Sequence, residues 1–282
     1  MTPLRADVLR LVSSAVILAA ALPAATPAAA GPAVLAPHRA IYELKLGSAS
    51  GKRQIEAVRG RILYDFSGSV CEGYSLQFRQ VSELDSGEGK AALSDLRATS
   101  WEDGAAKSLR FSSQNYLDQQ MVDTAAGNAE RQSGGVAVKL TKPEDKSYDL
   151  EAGIVFPAEH MRRIIEAAEQ GKSILELPVF DGSENGEKVF NTLTVIGHII
   201  SPEKKPTDVS ADNPATANLR RWPVTVSYFE KASTAGEQTP SYAIGFELFE
   251  NGISRALSLN YGDFVVNGEL TELDMKTAKP CN

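Results

Sequence analysis

The side chains with catalytic or ligating capacity are few: His38, His160 and His198, Cys71 and Cys281, and the loop DGSENGE from Asp181 to Glu187. Three histidines in 282 residues leave little scope for imidazole catalysis. His38 follows Pro37 and reads as a polar residue at a strand entrance. His160 has Arg162 and Arg163 beside it in sequence. Cations that close in space would depress its pKa, and an exposed helix face accounts for all three residues. His198, in the apolar run VIGHII, reads as a hydrogen-bonded core or edge histidine. Asp181, Ser183 and Asn185 alternate as in the first half of an EF-hand loop, with Gly186 next. The position that needs a bidentate glutamate is Thr192, however, and the flanks read as strands. A hairpin connection of about two to four residues rich in Asp, Gly and Asn explains the same letters. No Gly-x-Ser-x-Gly elbow, His-Glu-x-x-His pair, Cys-x-x-Cys pair or phosphate-cradling glycine loop occurs. Carboxylates are plentiful, but spacing alone cannot pair two of them as acid and base. No catalytic, cofactor-binding or metal-ligating residue is therefore assigned.

The two cysteines need a compartment before they can be read. Arg5 and Arg10 precede an apolar run from Leu11 to Leu22, and small residues follow to Ala28-Ala29-Ala30. A basic start, a short apolar core and an A-x-A site describe a secretory signal peptide over residues 1–30. The apolar run falls well short of the roughly 20 residues of a membrane-spanning helix. The mature chain, 31–282, contains no stretch of spanning length. In a Gram-negative bacterium its destination is the periplasm, where an even cysteine count points to a disulfide between Cys71 and Cys281. Two unrelated buried thiols are the other reading. The net charge of −7 becomes −8 when Arg5, Arg10 and Asp7 leave with the signal. A mildly acidic chain without a basic run argues against nucleic acid and against electrostatic docking on anionic lipid.

The elements that must position these residues are mostly strands. Tyr42, Leu44 and Leu46 alternate with Glu43 and Lys45; Ile62, Tyr64 and Phe66 repeat the pattern, as do Tyr74, Leu76 and Phe78. Tyr242, Ile244, Phe246 and Leu248 do the same before the turn at Asn251-Gly252. A return strand is expected from Ile253 to Tyr261 and another from Phe264 to Met275, after Gly262-Asp263. One segment has helical period. Pro157 suits a first turn, Met161, Ile164, Ile165 and Ala168 share a face, and Gly171 is a stop, which predicts an amphipathic helix over about 157–170. A helix set into a long antiparallel meander points to a barrel, or an incompletely closed one, with the helix covering an opening. The polar, proline-rich stretch 201–223 reads as a surface loop within one domain, 31–282.

Five stretches in order carry a family resemblance: APHRAIYELKL (36–46), YDFSGSVCEGYSLQFRQ (64–80), FPAEHMRRIIEAAEQGKS (156–173), VFDGSENGEKVFNTLTVIG (179–197) and YGDFVVNGELTEL (261–273). Together with the cysteine pair they resemble the EipB family of periplasmic cell-envelope-integrity proteins over essentially the whole mature chain. The resemblance implies a single mainly β domain: a long antiparallel sheet coiled into a spiral, an incompletely closed β-barrel with helical segments. It also implies a disulfide joining Cys71 to Cys281, a role in envelope homeostasis and stress resistance, and a genetic link to a periplasmic tetratricopeptide-repeat protein. It transfers no catalytic residue.

The leading expectation is a non-enzymatic periplasmic protein that supports envelope integrity through protein partners. The alternative is a carrier or binding module holding a lipid or lipoprotein inside the spiral, although plain core packing explains the apolar strand faces more simply. A cell-wall hydrolase is a third reading with no named residues behind it.

Overall fold

Alternating residues become strands almost wherever the period is two. The computed structural model describes residues 33–50, 55–87, 89, 91–201, 203–210, 213–230, 239–278 and 281; the expected signal peptide lies outside them. The strands are β1 (His38–Ala49), β2 (Ala57–Ser69), β3 (Gly73–Asp85), β4 (Ala91–Glu102), β5 (Ser108–Leu117), β6 (Gln120–Gln132), β7 (Gly135–Lys142) and β8 (Lys146–Leu150). Helix α1 (Pro157–Glu169) follows, then β9 (Ile174–Val179), β10 (Phe190–Ile196), β11 (Arg221–Glu230), β12 (Tyr242–Phe249), β13 (Ser254–Asn260) and β14 (Phe264–Met275). They form one antiparallel sheet of 14 strands, ordered β8 through β1, then β14 down to β9. The first and last strands thus pair at its middle, His38 opposite Met275 and Ala49 opposite Phe264, with bulges at Ile41/Tyr42 and Leu46/Ser48.

The two edges, β8 and β9, are consecutive in sequence, and the chain between them carries α1. They do not pair. Just beyond β8, Val155 makes a single parallel bridge to Val179 at the end of β9. The sheet is therefore a spiral barrel left open at one seam. Its arms curl far enough for Phe66 and Tyr74 of β2 and β3 to share a core with Trp222, Val224 and Val226 of β11, and α1 supplies Ile164 and Ile165 to that cluster. A second core lies under β5–β7 around Phe111, Phe156 and Phe180, and a third joins β1 and β2 to β13 and β14.

Helix α1 forms for local reasons and is held by distant ones. Pro157 opens it without losing a bonded N–H. At its other end Gly171, with φ 70°, takes the left-handed turn in which its N–H and that of Lys172 reach the Ala168 and Ala167 carbonyls. Ile164, Ile165 and Ala168 of the expected face are buried and Met161 packs against the same core. His160 is buried too, at 6% exposure, so the exposed face inferred for it is wrong. The helix sits inside a seam between sheet edges, and its polar side is shorter than sequence period suggests.

Three other expectations need correction. The connection from β9 to β10 spans Phe180 to Val189, much longer than a tight hairpin, because residues 180–186 fold inward as a left-handed turn at Glu184 and Asn185. His198 lies beyond β10 and is exposed. The surface loop ends before Arg221, where β11 begins, and Trp222 is buried. That loop is also anchored. Asp208 accepts a bond from Arg255 Nε at 2.7 Å, Arg255 Nη1 reaches Glu247 at 2.5 Å, and Arg221 Nε meets the same glutamate at 2.9 Å. Both arginines are at most 7% exposed.

A buried charge left without its partner is costly. Asp208→Ala strips Arg255 of one of two carboxylates and is expected to lower unfolding free energy by about 3 kcal/mol. Urea titration checks this; a loss within error of zero would show the network to be dispensable.

Candidate functional site

Fourteen strands enclose more space than their own side chains fill. Roughly eight strands already give an interior just wide enough for side chains. Here a cavity of about 740 Å³ remains inside the spiral. Its walls come from both arms: Ile62, Tyr64 and Phe78 on one side, Tyr228, Ile244 and Phe246 on the other. Pro157, Met161 and Ile164 of α1 line it as well. The alternating faces Tyr42-Leu44-Leu46 and Tyr242-Ile244-Phe246-Leu248 therefore divide. Leu44, Leu46 and Leu248 pack in cores alone, whereas Tyr42, Ile244 and Phe246 join those cores and also line the cavity, and Tyr242 lines it too. Core packing accounts for only part of those faces.

The wall is aromatic. Tyr228 and Tyr242, directly paired across β11 and β12, stack with ring centres 4.4 Å apart, and Phe190 meets both edge-on. On the facing arm His38, Tyr64, Phe66 and Tyr74 form a ladder of rings at 5.4–6.1 Å. Burial pushes the Tyr64 phenol up to about 12 and raises those of Tyr228 and Tyr242 further, so all three stay protonated. The Tyr42 hydroxyl donates to the Ser254 carbonyl at 2.8 Å.

Besides the tyrosines, three buried titratable groups among the described residues touch the cavity. His38, at the strand entrance as expected, is nevertheless only 2% exposed; burial lowers its pKa, against a bond between Nδ1 and the Ala36 carbonyl region at 2.8 Å. Burial alone depresses His160 to about 4. Its Nε2 lies 3.4 Å from Thr192 Oγ1, whose proton goes to the Leu177 carbonyl at 2.8 Å. That hydroxyl is committed to backbone and is not primed for attack. Glu102, at the end of β4, is the group that sequence reasoning missed. Its carboxylate accepts the N–H groups of Ala158 at 2.6 Å and Glu159 at 2.8 Å, capping α1, whose own N-cap residue Phe156 has no side-chain acceptor. Burial raises it to about 7, opposed by those two bonds and by the Arg162 charge. In the sequence SWEDG it looks like any turn carboxylate, because the helix N–H groups it accepts come from 56 and 57 residues later.

The other sequence-derived candidates lie elsewhere. The Asp181 carboxylate accepts the Ser183 N–H at 2.9 Å, closing a turn at the cavity wall. Among the described residues no cluster of three or more His, Cys, Asp or Glu side chains could hold a metal ion. Cys71 sits in the exposed turn between β2 and β3, where the Ser69 hydroxyl accepts its N–H at 3.3 Å. Gly73 follows with φ 78°, and a Cβ there would lie 2.7 Å from the Trp101 ring. Cys281 comes to the same turn, Cα to Cα 5.7 Å, a spacing that accommodates a disulfide. No helix among the described residues is long and apolar enough to cross a membrane.

Fold and cavity together define an open β-spiral with an aromatic-walled chamber and a helix in its seam. The chain belongs to the EipB-like family, whose model matches residues 29–277. It is 36% identical over 252 residues to the cell envelope integrity protein EipB of Brucella abortus, covering 89% of this chain and 88% of that protein. A crystal structure from Brucella abortus, described as a beta-barrel-like protein of a domain of unknown function, superposes with a TM-score of 0.79 at 35% identity. That match covers 86% of this chain and 99% of the other.

Glu102 and His160 tilt the pH dependence of stability in opposite directions. Glu102, raised from 4.5 to about 7, contributes stability that is complete below pH 4.5 and lost as pH rises through 7. His160, depressed from 6.5 to about 4, contributes stability present above pH 6.5 and lost as pH falls through 4. Each effect is on the order of 3 kcal/mol, and they offset between these limits. Relative to wild type, Glu102→Gln is expected to gain stability as pH rises from 4.5 to 7, and His160→Asn to lose it from 4 to 6.5. Denaturant titrations across that range check the signs; parallel profiles for all three proteins would contradict them.

Proposed function

We propose that this protein is a non-enzymatic, periplasmic envelope-integrity protein whose spiral holds an apolar ligand. The unfilled, aromatic-walled chamber carries the ligand half of that reading. An interior of about 740 Å³ lies within the ordinary range for small-molecule sites, roughly 300–1,000 Å³. The envelope half is supported by kinship with a protein named for cell envelope integrity. Residues 1–30 act as the export signal in this reading, and 31–282 as one domain. The names of the relatives indicate no catalytic family, and the buried groups at the chamber are engaged in capping and packing. Work through a periplasmic protein partner, a tetratricopeptide-repeat protein among them, is compatible with a ligand-holding role, since a carrier must hand over its cargo.

Native mass spectrometry of protein taken directly from the periplasm tests the ligand half: a co-purified lipid or lipopeptide mass is expected. A deletion strain is expected to lose resistance to detergents and wall-targeting antibiotics. Unchanged growth under both would refute the envelope half.

In the same reading Cys71 and Cys281 form a structural clasp that ties the C-terminal tail to the β2–β3 turn. Closing a loop over a separation of 210 residues restricts the unfolded chain by about 5 kcal/mol in the entropy model, as an upper limit. Cys71→Ser is accordingly expected to melt several degrees below the oxidised wild type. Equal melting temperatures would remove the clasp.

A further inference from the structure

The chamber is polarised in chemistry and one-sided in charge. Toward α1 its wall is buried and mostly apolar, through Phe66, Tyr74, Ile164 and Val226, with Glu102 and His160 the polar groups among them. Elsewhere the lining turns polar and more exposed, where Asn115 and Asp123 face each other across β5 and β6 and Asp181 and Glu184 bring in the inward turn. Four carboxylates line the cavity: Glu102, Asp123, Asp181 and Glu184. Among the described residues the lining contains no lysine and no arginine.

The four carboxylates differ in their partners. Glu184 pairs with Lys188, which also pairs with Glu230 at 2.8 Å, so that one cation serves two carboxylates. Glu102 is spent on the helix N-terminus and has Arg162 nearby. Asp123 and Asp181 form no ion pair among the described residues, and both are half-buried. The histidines do not restore balance, since burial lowers the pKa of both His38 and His160 and leaves them neutral at pH 7.

We propose that the chamber accepts an amphiphile with an apolar chain and an uncharged or cationic head, and discriminates against the same chain carrying an anionic head. This deepens the ligand-holding reading and rests on it. The chain lies against the aromatic walls toward α1. The head meets the end lined by Asn115, Asp123, Asp181 and Tyr242. A carboxylate or phosphate there meets other carboxylates and no cation to pair with, whereas an amide, a sugar hydroxyl or an ammonium donates to them. Two carboxylates near an ionic head in partly wet surroundings are enough for about a tenfold difference in affinity.

The test uses the full mature chain at pH 8 in 0.15 M salt, titrated calorimetrically with decyl maltoside, decyltrimethylammonium and decanoate below their micelle concentrations. The first two are expected to bind, and decanoate about tenfold or more weakly. Octyl maltoside should bind more weakly than decyl maltoside by about fourfold per methylene. Asp123→Asn with Asp181→Asn is expected to bring decanoate to within a few-fold of the maltoside. Ser100, on the face of β4 that also presents Leu96 and Glu102 to the cavity, is the place for a blocking side chain. Ser100→Trp is expected to abolish binding while circular dichroism stays unchanged, which separates chamber binding from adsorption on an acidic surface. Decanoate binding as tightly as decyl maltoside would overturn the charge selectivity and leave the ligand-holding reading standing. Failure of all three probes, or binding untouched by Ser100→Trp, would overturn both.

Discussion

Pairing β1 with β14 closes a loop through nearly the whole described chain, and the entropy of that closure sets the terms for the rest of the sheet. Every other ladder joins neighbours in sequence. With its ends sealed together, the sheet has its free edges in mid-sequence, at β8 and β9, and the segment that links them lies at the seam. Placing a helix there, with one Val155–Val179 bridge beside it, shields the edges without completing the ladder. Closure into a true barrel would have removed the edges and narrowed the interior at the same time.

The open seam explains why the chamber and the helix share one set of contacts. Helix α1 lines the cavity and takes its N-terminal cap from the end of β4, so Glu102 couples the position of the helix to a wall of the sheet. Such a carboxylate is held by two backbone donors and penalised by burial, and its raised pKa records that conflict. Arg131 adds to the attachment, with Nη1 donating to the Ile154 carbonyl at 2.9 Å and Nη2 to Glu159 at 2.8 Å. The polar groups around α1 are thus fixings for a covering element, and the remaining wall is left to aromatic rings with few competing bonds.

Much of the fold was legible because it rests on local signals. Asn251-Gly252 and Gly262-Asp263 mark the turns flanking β13, and the alternation around Tyr242–Leu248 places β12. Pro157, the Met161–Ala168 face and Gly171 bound α1 to within a residue. Legibility ended where burial is decided by distant contacts. Nothing in the residues around His160 tells that the helix lies in a seam and is covered on more than one side. Nothing near Glu102 announces a helix partner 56 residues away. The void could not be read from alternating apolar positions, since a strand presents the same face to a packed core and to an empty chamber. Strand number and curvature decide between them.

The β1–β14 ladder also imposes an order on synthesis. A chain made from its N-terminus presents β1 early, and the hairpin with β2 can form at once. The other edge of β1 must wait for the last strand of all. During that interval it is a row of unsatisfied backbone groups with apolar neighbours, the kind of edge that recruits a second nascent chain. Arg39, Glu43 and Lys45 alternate along it with the buried residues and charge the face turned to water. The strand that completes the sheet therefore also ends the period in which its first strand is open to strangers.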